Sequence, residues 1–235
     1  MIEELKKELL KKADPKRAKS SYKFFRSYEG GYGEGDEFMG ITVPDQRAIA
    51  KKYYKAISVK ETGLLLLDKY HEHRLTAVII LSLKYEKAKT EIEKESIVNE
   101  YLKNISGVNN WDIVDSSAHK ILGPFYIDKD KKLLYELLDS NNLWKQRIAI
   151  IATMHFIRQG LHEETLKMSE MMLNHKHDLI HKAVGWMLRE IGNRNYEVEY
   201  NFLEKHYNKM PRTMLRYAIE KFDEDIRQKF LKGKI

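Results

Sequence analysis

Two tryptophans in this chain stand beside charged residues at helical spacing, an arrangement of flat aromatic faces next to charge that can hold a polyanion. The first group is Trp111-Asp112-Ile113-Val114-Asp115, and the second is Lys182-Ala183-Val184-Gly185-Trp186-Met187-Leu188-Arg189. Between them Trp144-Lys145-Gln146-Arg147 opens a further helix. Residues three or four apart share a helix face, so Trp111 groups with Asp115, and Trp186 with Lys182 and Arg189. If those helices are neighbours, they form a cleft with aromatic walls, one carboxylate and several cations. Such a cleft suits a polyanion carrying a cationic or electron-poor base.

Each of these residues also has a plainer reading. An acid in the first turn of a helix complements its dipole, but Asp112 suits that task better than Asp115, which sits deeper in the helix. A carboxylate against an aromatic wall is partly desolvated, which strengthens its attraction for a developing cation. A helical tryptophan is most often a packing residue, and Trp144, beside Leu143 and on a face with Ile148 and Ile151, reads that way. Trp111 and Trp186 differ because each has charge one turn away, and a cation over an indole gains about 0.5–2 kcal/mol. Arg147, Lys182, Arg189, Arg212 and Arg216 fall near the starts of successive second helices. They read either as solvated charge or as a basic stripe tracking phosphates, and their shared position favours the stripe. The groups His71-Glu72-His73 and His175/His177/His181 have spacings that could hold zinc. Without cysteine or a His-Glu-x-x-His helix, a functional metal site is not expected.

The elements that must position these residues are helices. The 235-residue chain has 12 glycines and only 4 prolines, and its apolar residues recur at helical spacing with no run of strand-like alternation. About fourteen helices are expected. Start signals stand at Asp14-Pro15, Pro44-Asp45, Ser58, Asn109-Asn110, Asp128, Asp178 and Pro211, and stop signals at Gly107, Gly123-Pro124, Gly160 and Gly192-Asn193. A basic residue followed by Ala and a branched aliphatic recurs at Arg74…Ala77, Arg147…Ala149, Lys182-Ala183 and Arg216…Ala218, with Ala118 filling the longer gap. From Ala149 to Ala183 is 34 residues and from there to Ala218 is 35. That period, two helices per unit, predicts an all-α, right-handed α-solenoid of HEAT-like repeats. The chain reads as a single repeat domain over 1–235, with an N-terminal helix pair (1–28), a glycine-rich loop (29–40) and helical repeats (41–235). The loop, Gly30-Gly31-Tyr32-Gly33-Glu34-Gly35-Asp36, is not followed by Gly-Lys-Ser/Thr and so is no phosphate cradle. It reads as a hinge or capping loop, whose Glu34 and Asp36 would repel phosphates unless they point away.

Composition narrows the function classes. Net charge is +7, from 42 Lys and Arg against 35 Asp and Glu, a moderate pointer to nucleic acid. The absence of cysteine removes disulfides, thiolate metal sites and thiol nucleophiles. No apolar run approaches the roughly 18–20 residues of a membrane span, and the N-terminus lacks a signal peptide's apolar centre. A cytoplasmic monomer with no obligate protein partner and no membrane association is the expectation.

Five segments in order resemble the AlkD-like family of DNA alkylation repair proteins. They are Gly40-Ile41…Pro44…Arg47, Trp111-Asp112-Ile113-Val114-Asp115, Trp144-Lys145-Gln146-Arg147, Gly185-Trp186-Met187-Leu188-Arg189-Glu190 and Pro211-Arg212…Leu215-Arg216-Tyr217-Ala218-Ile219. The resemblance runs from about Asp14 to Phe222. It implies a HEAT-like DNA glycosylase for cationic N3- or N7-alkylated purines in double-stranded DNA, with a concave DNA-binding cleft and no metal or other cofactor. The family's catalytic aspartate falls on Asp115, its two cleft tryptophans on Trp111 and Trp186, and its phosphate-contacting arginine on Arg147. Its third cleft aromatic, usually tyrosine, falls at Phe24, with Phe25 the alternative; phenylalanine keeps the apolar wall and loses the hydroxyl. Lys182, Arg189, Arg212 and Arg216 would extend the basic track. The resemblance also implies that the base stays outside any pocket while the protein holds the backbone of the lesion nucleotide. Some members are regarded as DNA binders without glycosylase activity. The alternatives are therefore a non-catalytic binder of damaged or branched DNA and a HEAT scaffold for an acidic protein segment.

Overall fold

A computed structural model describes residues 1–235. The chain is all-α and forms two compact units, Met1–Phe125 and Tyr126–Ile235. The only strand-like pairing is a single parallel bridge between Glu37 and Tyr70.

The first unit contains α1 (Ile2–Leu10), α2 (Pro15–Phe24), α3 (Val43–Tyr53), α4 (Val59–Leu66), α5 (His71–Lys87), α6 (Glu91–Lys103) and α7 (Trp111–Tyr126), whose last residue begins the second unit. Its centre is α5, which packs against α3, α4 and α6. Residues 71–78 are buried without a break, so this helix is covered all round, as a core helix must be. Five of those buried residues, His71, Glu72, His73, Arg74 and Thr76, are polar, and each must find partners within the protein. Glu72 does so by accepting the amides of Met39, Gly40 and Ile41 at 2.7–3.2 Å, which fixes the chain entering α3. α4 and α6 start on reciprocal capping boxes, Ser58 with Glu61 and Thr90 with Glu93. α6 is tied to α7 by Tyr101 and Ser117, whose hydroxyls lie 3.1 Å apart in the core.

The second unit contains α8 (Lys132–Asp139), α9 (Leu143–Ala152), α10 (Met154–Arg158), α11 (Glu163–Met171), α12 (Asp178–Gly192), α13 (Tyr196–His206), α14 (Arg212–Ala218) and α15 (Glu224–Lys232). α12 is its hub, packed on α9, α11, α13 and α14. The five alanines of the repeat, Ala77, Ala118, Ala149, Ala183 and Ala218, are all wholly buried, as close helix approach requires. α12 lies tightly on α14: a methyl group on Gly185 would lie 2.4 Å from the Met214 carbonyl oxygen and 2.6 Å from Tyr217 Cβ.

Most of the expected boundaries hold. Asp14 caps α2 with Pro15 in the first turn, Ser58 caps α4, Pro211 precedes α14, and Gly160 follows α10 with φ of 78°. Two do not. Gly123-Pro124 is no stop, because α7 continues to Tyr126 with Pro124 inside it. The ring removes one N–H and crowds one carbonyl, a local cost that the last turn of a helix packed on its buried face tolerates. Asp128 starts nothing, since the next helix begins at Lys132. No helix is long and apolar enough to cross a membrane.

Candidate nucleic-acid interface

In the first unit the expected site residues gather at the start of α7. Asn110 is buried just before the helix, and its side-chain oxygen accepts the Trp111 amide at 2.9 Å. Asp112 accepts the amide of Ile113 at 2.9 Å, the dipole-complementing place anticipated for it. Trp111 and Asp115 lie one turn apart on the same half-exposed face, while Ile113 and Val114 are wholly buried on the other. Beside Trp111 stand both phenylalanines left as alternatives. Phe25 stacks on the indole at 5.3 Å and 27°, and Phe24 meets it edge-on at 5.8 Å. Phe24 is 64% exposed and Phe25 is half-buried, so Phe24 presents the free aromatic surface and Phe25 supports the indole. The result is an aromatic wall running up to a carboxylate on one helix face.

Beneath that wall lies a charge cluster that sequence spacing gives no reason to expect. His71, at the start of α5, has Nδ1 3.1 Å from Asp36 and Nε2 2.8 Å from Asp112. Asp36 also receives Arg74 Nη2 at 2.5 Å and Asn110 Nδ2 at 3.1 Å. Burial alone would push the Asp36 carboxyl up, but its bonds from His71, Arg74 and Asn110 hold it below the usual carboxylate range. Burial likewise opposes charge on His71, yet Asp112 and Asp36 raise its imidazole to about 9. Asp36 is 4% exposed, so the acid that would have repelled phosphates from the loop faces the interior. Glu34 is turned back on its own loop, accepting the Gly30 amide at 2.9 Å.

The glycine-rich loop is folded tightly onto the end of α2. Arg26 adopts φ of 49° and closes the helix, with the Ser27 amide on the Tyr22 carbonyl and the Arg26 amide on that of Lys23. A methyl group on Gly31 would stand 1.8 Å from the Arg26 carbonyl oxygen, and one on Gly33 2.4 Å from that of Phe25. These two glycines are therefore required for close backbone approach. Tyr32 covers the turn, with the Arg26 guanidinium 5.7 Å from its ring centre.

The second unit carries the remaining expected residues. Arg147 on α9 is buried and donates to the Leu179 carbonyl at the start of α12. Its guanidinium is thus anchored by backbone and not free to swing. Trp186 on α12 is half-buried and its indole N–H donates to Glu190 at 3.3 Å. Lys182 pairs with Asp178 at 2.7 Å and Arg189 with Glu220, so a phosphate must compete with a carboxylate at both. Arg212 and Arg216 are exposed on α14, with Arg212 also donating to the Leu231 carbonyl at 3.0 Å. Trp144 is half-buried at the start of α9, behind the Asn142 cap. The second histidine group is held by ordinary hydrogen bonds: His175 to Gln146 at 3.0 Å, and the Leu179 amide to His177 at 3.1 Å.

The family model for DNA alkylation repair enzymes matches residues 5–222, almost the whole chain. The chain belongs to the DNA alkylation repair enzyme family. A DNA repair role follows from that membership. The fold agrees with a solved structure described as a predicted DNA alkylation repair enzyme from Enterococcus faecalis. The two superpose with a TM-score of 0.68 at 15% identity, covering 91% of this chain and 98% of the other. No curated protein matches the sequence. The residues whose shared role sequence reasoning missed are those that hold α7: Asp36, His71, Arg74 and Asn110. Each carried a signal of another kind: a loop acid, a histidine at metal-like spacing, the basic residue ahead of Ala77 and a helix start.

Proposed function

We propose that this protein is a monofunctional DNA glycosylase hydrolysing the N-glycosidic bond of cationic N3- or N7-alkylated purines in double-stranded DNA. The observation that carries the reading is Trp111 and Asp115, one turn apart on a half-exposed face of α7, in a DNA alkylation repair enzyme. A purine alkylated at N3 or N7 already bears a positive charge. When the C1′–N bond breaks, the electron pair neutralises the departing base, so no acid is required. The barrier that remains is the positive charge growing on deoxyribose. Asp115 supplies a fixed carboxylate for that charge and accepts the proton of the water that adds to C1′. In the first unit Trp111 and Phe24 provide faces for the sugar-phosphate. In the second unit Trp186 provides such a face, Arg147 contacts phosphate, and Lys182, Arg189, Arg212 and Arg216 form a basic track. The chain acts as a monomer on HEAT-like repeats and needs no metal or other cofactor, because every step uses a carboxylate and water.

The test is incubation with N-methylated duplex DNA, followed by chromatography of released bases. Asp115→Asn keeps size and loses charge, so release of 7-methylguanine should fall by about 10²–10³ or more with DNA affinity nearly intact. Undiminished release by that variant would remove Asp115 from the role. Binding without release by the wild-type chain would make it a non-catalytic DNA binder instead.

A further inference from the structure

The glycine-rich loop and His71 have no part in the chemistry above, yet they converge on Trp111. An imidazole with a carboxylate at each nitrogen can satisfy both only by donating from both, which requires the imidazolium form. Either neutral tautomer would set a nitrogen lone pair against an oxygen lone pair. With Arg74 on Asp36, the cluster balances two cations against two carboxylates in a space where His71 and Asp36 are only 2% and 4% exposed. Its partners are residues 36, 71, 74, 110 and 112, so three separate segments are tied at one point.

Two routes lead from that point to Trp111. Along the backbone, the indole stands between Asn110 and Asp112, and both of these neighbours are bonded into the cluster. Through side chains, the Phe25 ring lies 4.6 Å from the His71 ring and 5.3 Å from the indole. Phe38 closes the stack, 5.0 Å from His71 and 5.3 Å from Phe25 at 12°. Rings against a cationic imidazole are held electrostatically as well as by area. The loop enters here too. Asp36 follows the last glycine of its Gly30–Gly35 run, and the His71 amide donates to the Glu37 carbonyl at 2.9 Å.

We infer that His71, clamped between Asp36 and Asp112, is a positioning residue that sets the Trp111 and Phe25 rings for the lesion nucleotide, with the glycine-rich loop serving to deliver Asp36. This rests on the reading of Trp111 as a DNA contact. His73 supplies the control. It is equally buried on α5 and 3.0 Å from Asp68, but no bond or ring contact joins it to the Trp111 cluster.

The experiment uses the full chain labelled with 5-fluorotryptophan. It compares wild type, His71→Gln, Asp36→Asn and His73→Gln, with the Trp111 resonance identified by its loss in Trp111→Phe. In His71→Gln and Asp36→Asn the Trp111 fluorine resonance should shift or broaden while those of Trp144 and Trp186 stay. Affinity for a duplex carrying a tetrahydrofuran abasic analogue should fall about tenfold, and kcat on methylated duplex at least as much. His73→Gln should change stability alone. An unmoved Trp111 resonance with wild-type kcat and affinity in His71→Gln overturns the inference. So does an equal loss in His73→Gln. If His71→Gln fails to fold, histidine-selective ¹⁵N NMR of the wild-type protein decides. Both His71 ring nitrogens should be protonated at pH 7.5, and a single protonated nitrogen overturns the clamp. Should the wild-type chain release no base, the glycosylase reading fails, while the fluorine spectra and the abasic-duplex binding still judge His71 independently.

Discussion

Replacing Gly185 by alanine sets two opposed effects against each other with magnitudes that can be compared. In a helix interior alanine is favoured over glycine by about 1 kcal/mol, so an uncrowded site would be stabilised. Here the added carbon would lie 2.6 Å from Tyr217 Cβ and 2.4 Å from the Met214 carbonyl oxygen. Carbon atoms rest at about 3.5–4.0 Å, so α12 and α14 must part by roughly 1 Å. The Met214 oxygen belongs to a helix backbone and cannot turn aside as a side chain would. Overpacking of this kind costs about 1–3 kcal/mol, and the upper part of that range applies because the obstruction is backbone. The expected net loss is about 1–2 kcal/mol, equivalent to a fall in Tm of about 3–6 °C at this chain length. Urea unfolding followed by circular dichroism measures it. Trp186, the next residue, should change its fluorescence in the folded state. A variant melting at or above the wild-type temperature would show that the helices yield without cost, and the close-approach argument would fall.

Glu72→Gln replaces a carboxylate accepting three amides with a group that presents a donor to them, and should cost about 3 kcal/mol in urea unfolding. An unchanged midpoint would mean that the Met39–Ile41 turn stands without it. His71 holds its proton to about 9 against an ordinary 6.5. The stability it supplies is therefore complete below about pH 6.5 and is lost as pH rises through 9. Unfolding measured at pH 6.5 and 9.5 should show that decline, and His71→Gln should make it smaller. Glu199 is buried with one oxygen unpartnered, and burial raises its carboxyl to about 9 despite the Arg189 charge. The folded state keeps the proton that the unfolded chain gives up, so Glu199 also lowers stability as pH rises from about 4.5 to 9. Glu199→Gln should then stabilise the protein by on the order of 1 kcal/mol at pH 7 and by nothing near pH 4; equal effects at both values would refute this.

What could be read from the chain was whatever depends on neighbours in sequence. Asp14-Pro15, Ser58 and Pro211 announce helix starts because a cap acts within one turn. The five buried alanines were legible because a repeat imposes its period on small residues. Pro124 misled because a proline's effect depends on where in the helix it falls: two residues before the end it is tolerated. Asp36 was silent for the opposite reason. Its charge left open whether it points outward or away, because its partners lie 35 and 74 residues further on, and nothing local reveals them. Trp111 and Asp115 could be paired on one helix face from spacing alone. The exposed ring of Phe24 and the supporting one of Phe25 could not be told apart until the turn at Arg26 was known.

α2 buries none of its side chains. It is secured at its two ends, by the Asp14 cap with the Asp14 amide on the Met39 carbonyl, and by the left-handed turn at Arg26. Ten residues is short of the roughly 12–15 at which a lone helix persists in water. Its amide hydrogens should therefore exchange with solvent well ahead of those in α5, and trypsin should cut first among Lys16, Arg17, Lys19 and Lys23. Those same basic side chains can re-aim as the segment frays, at no expense to the packed helices behind them.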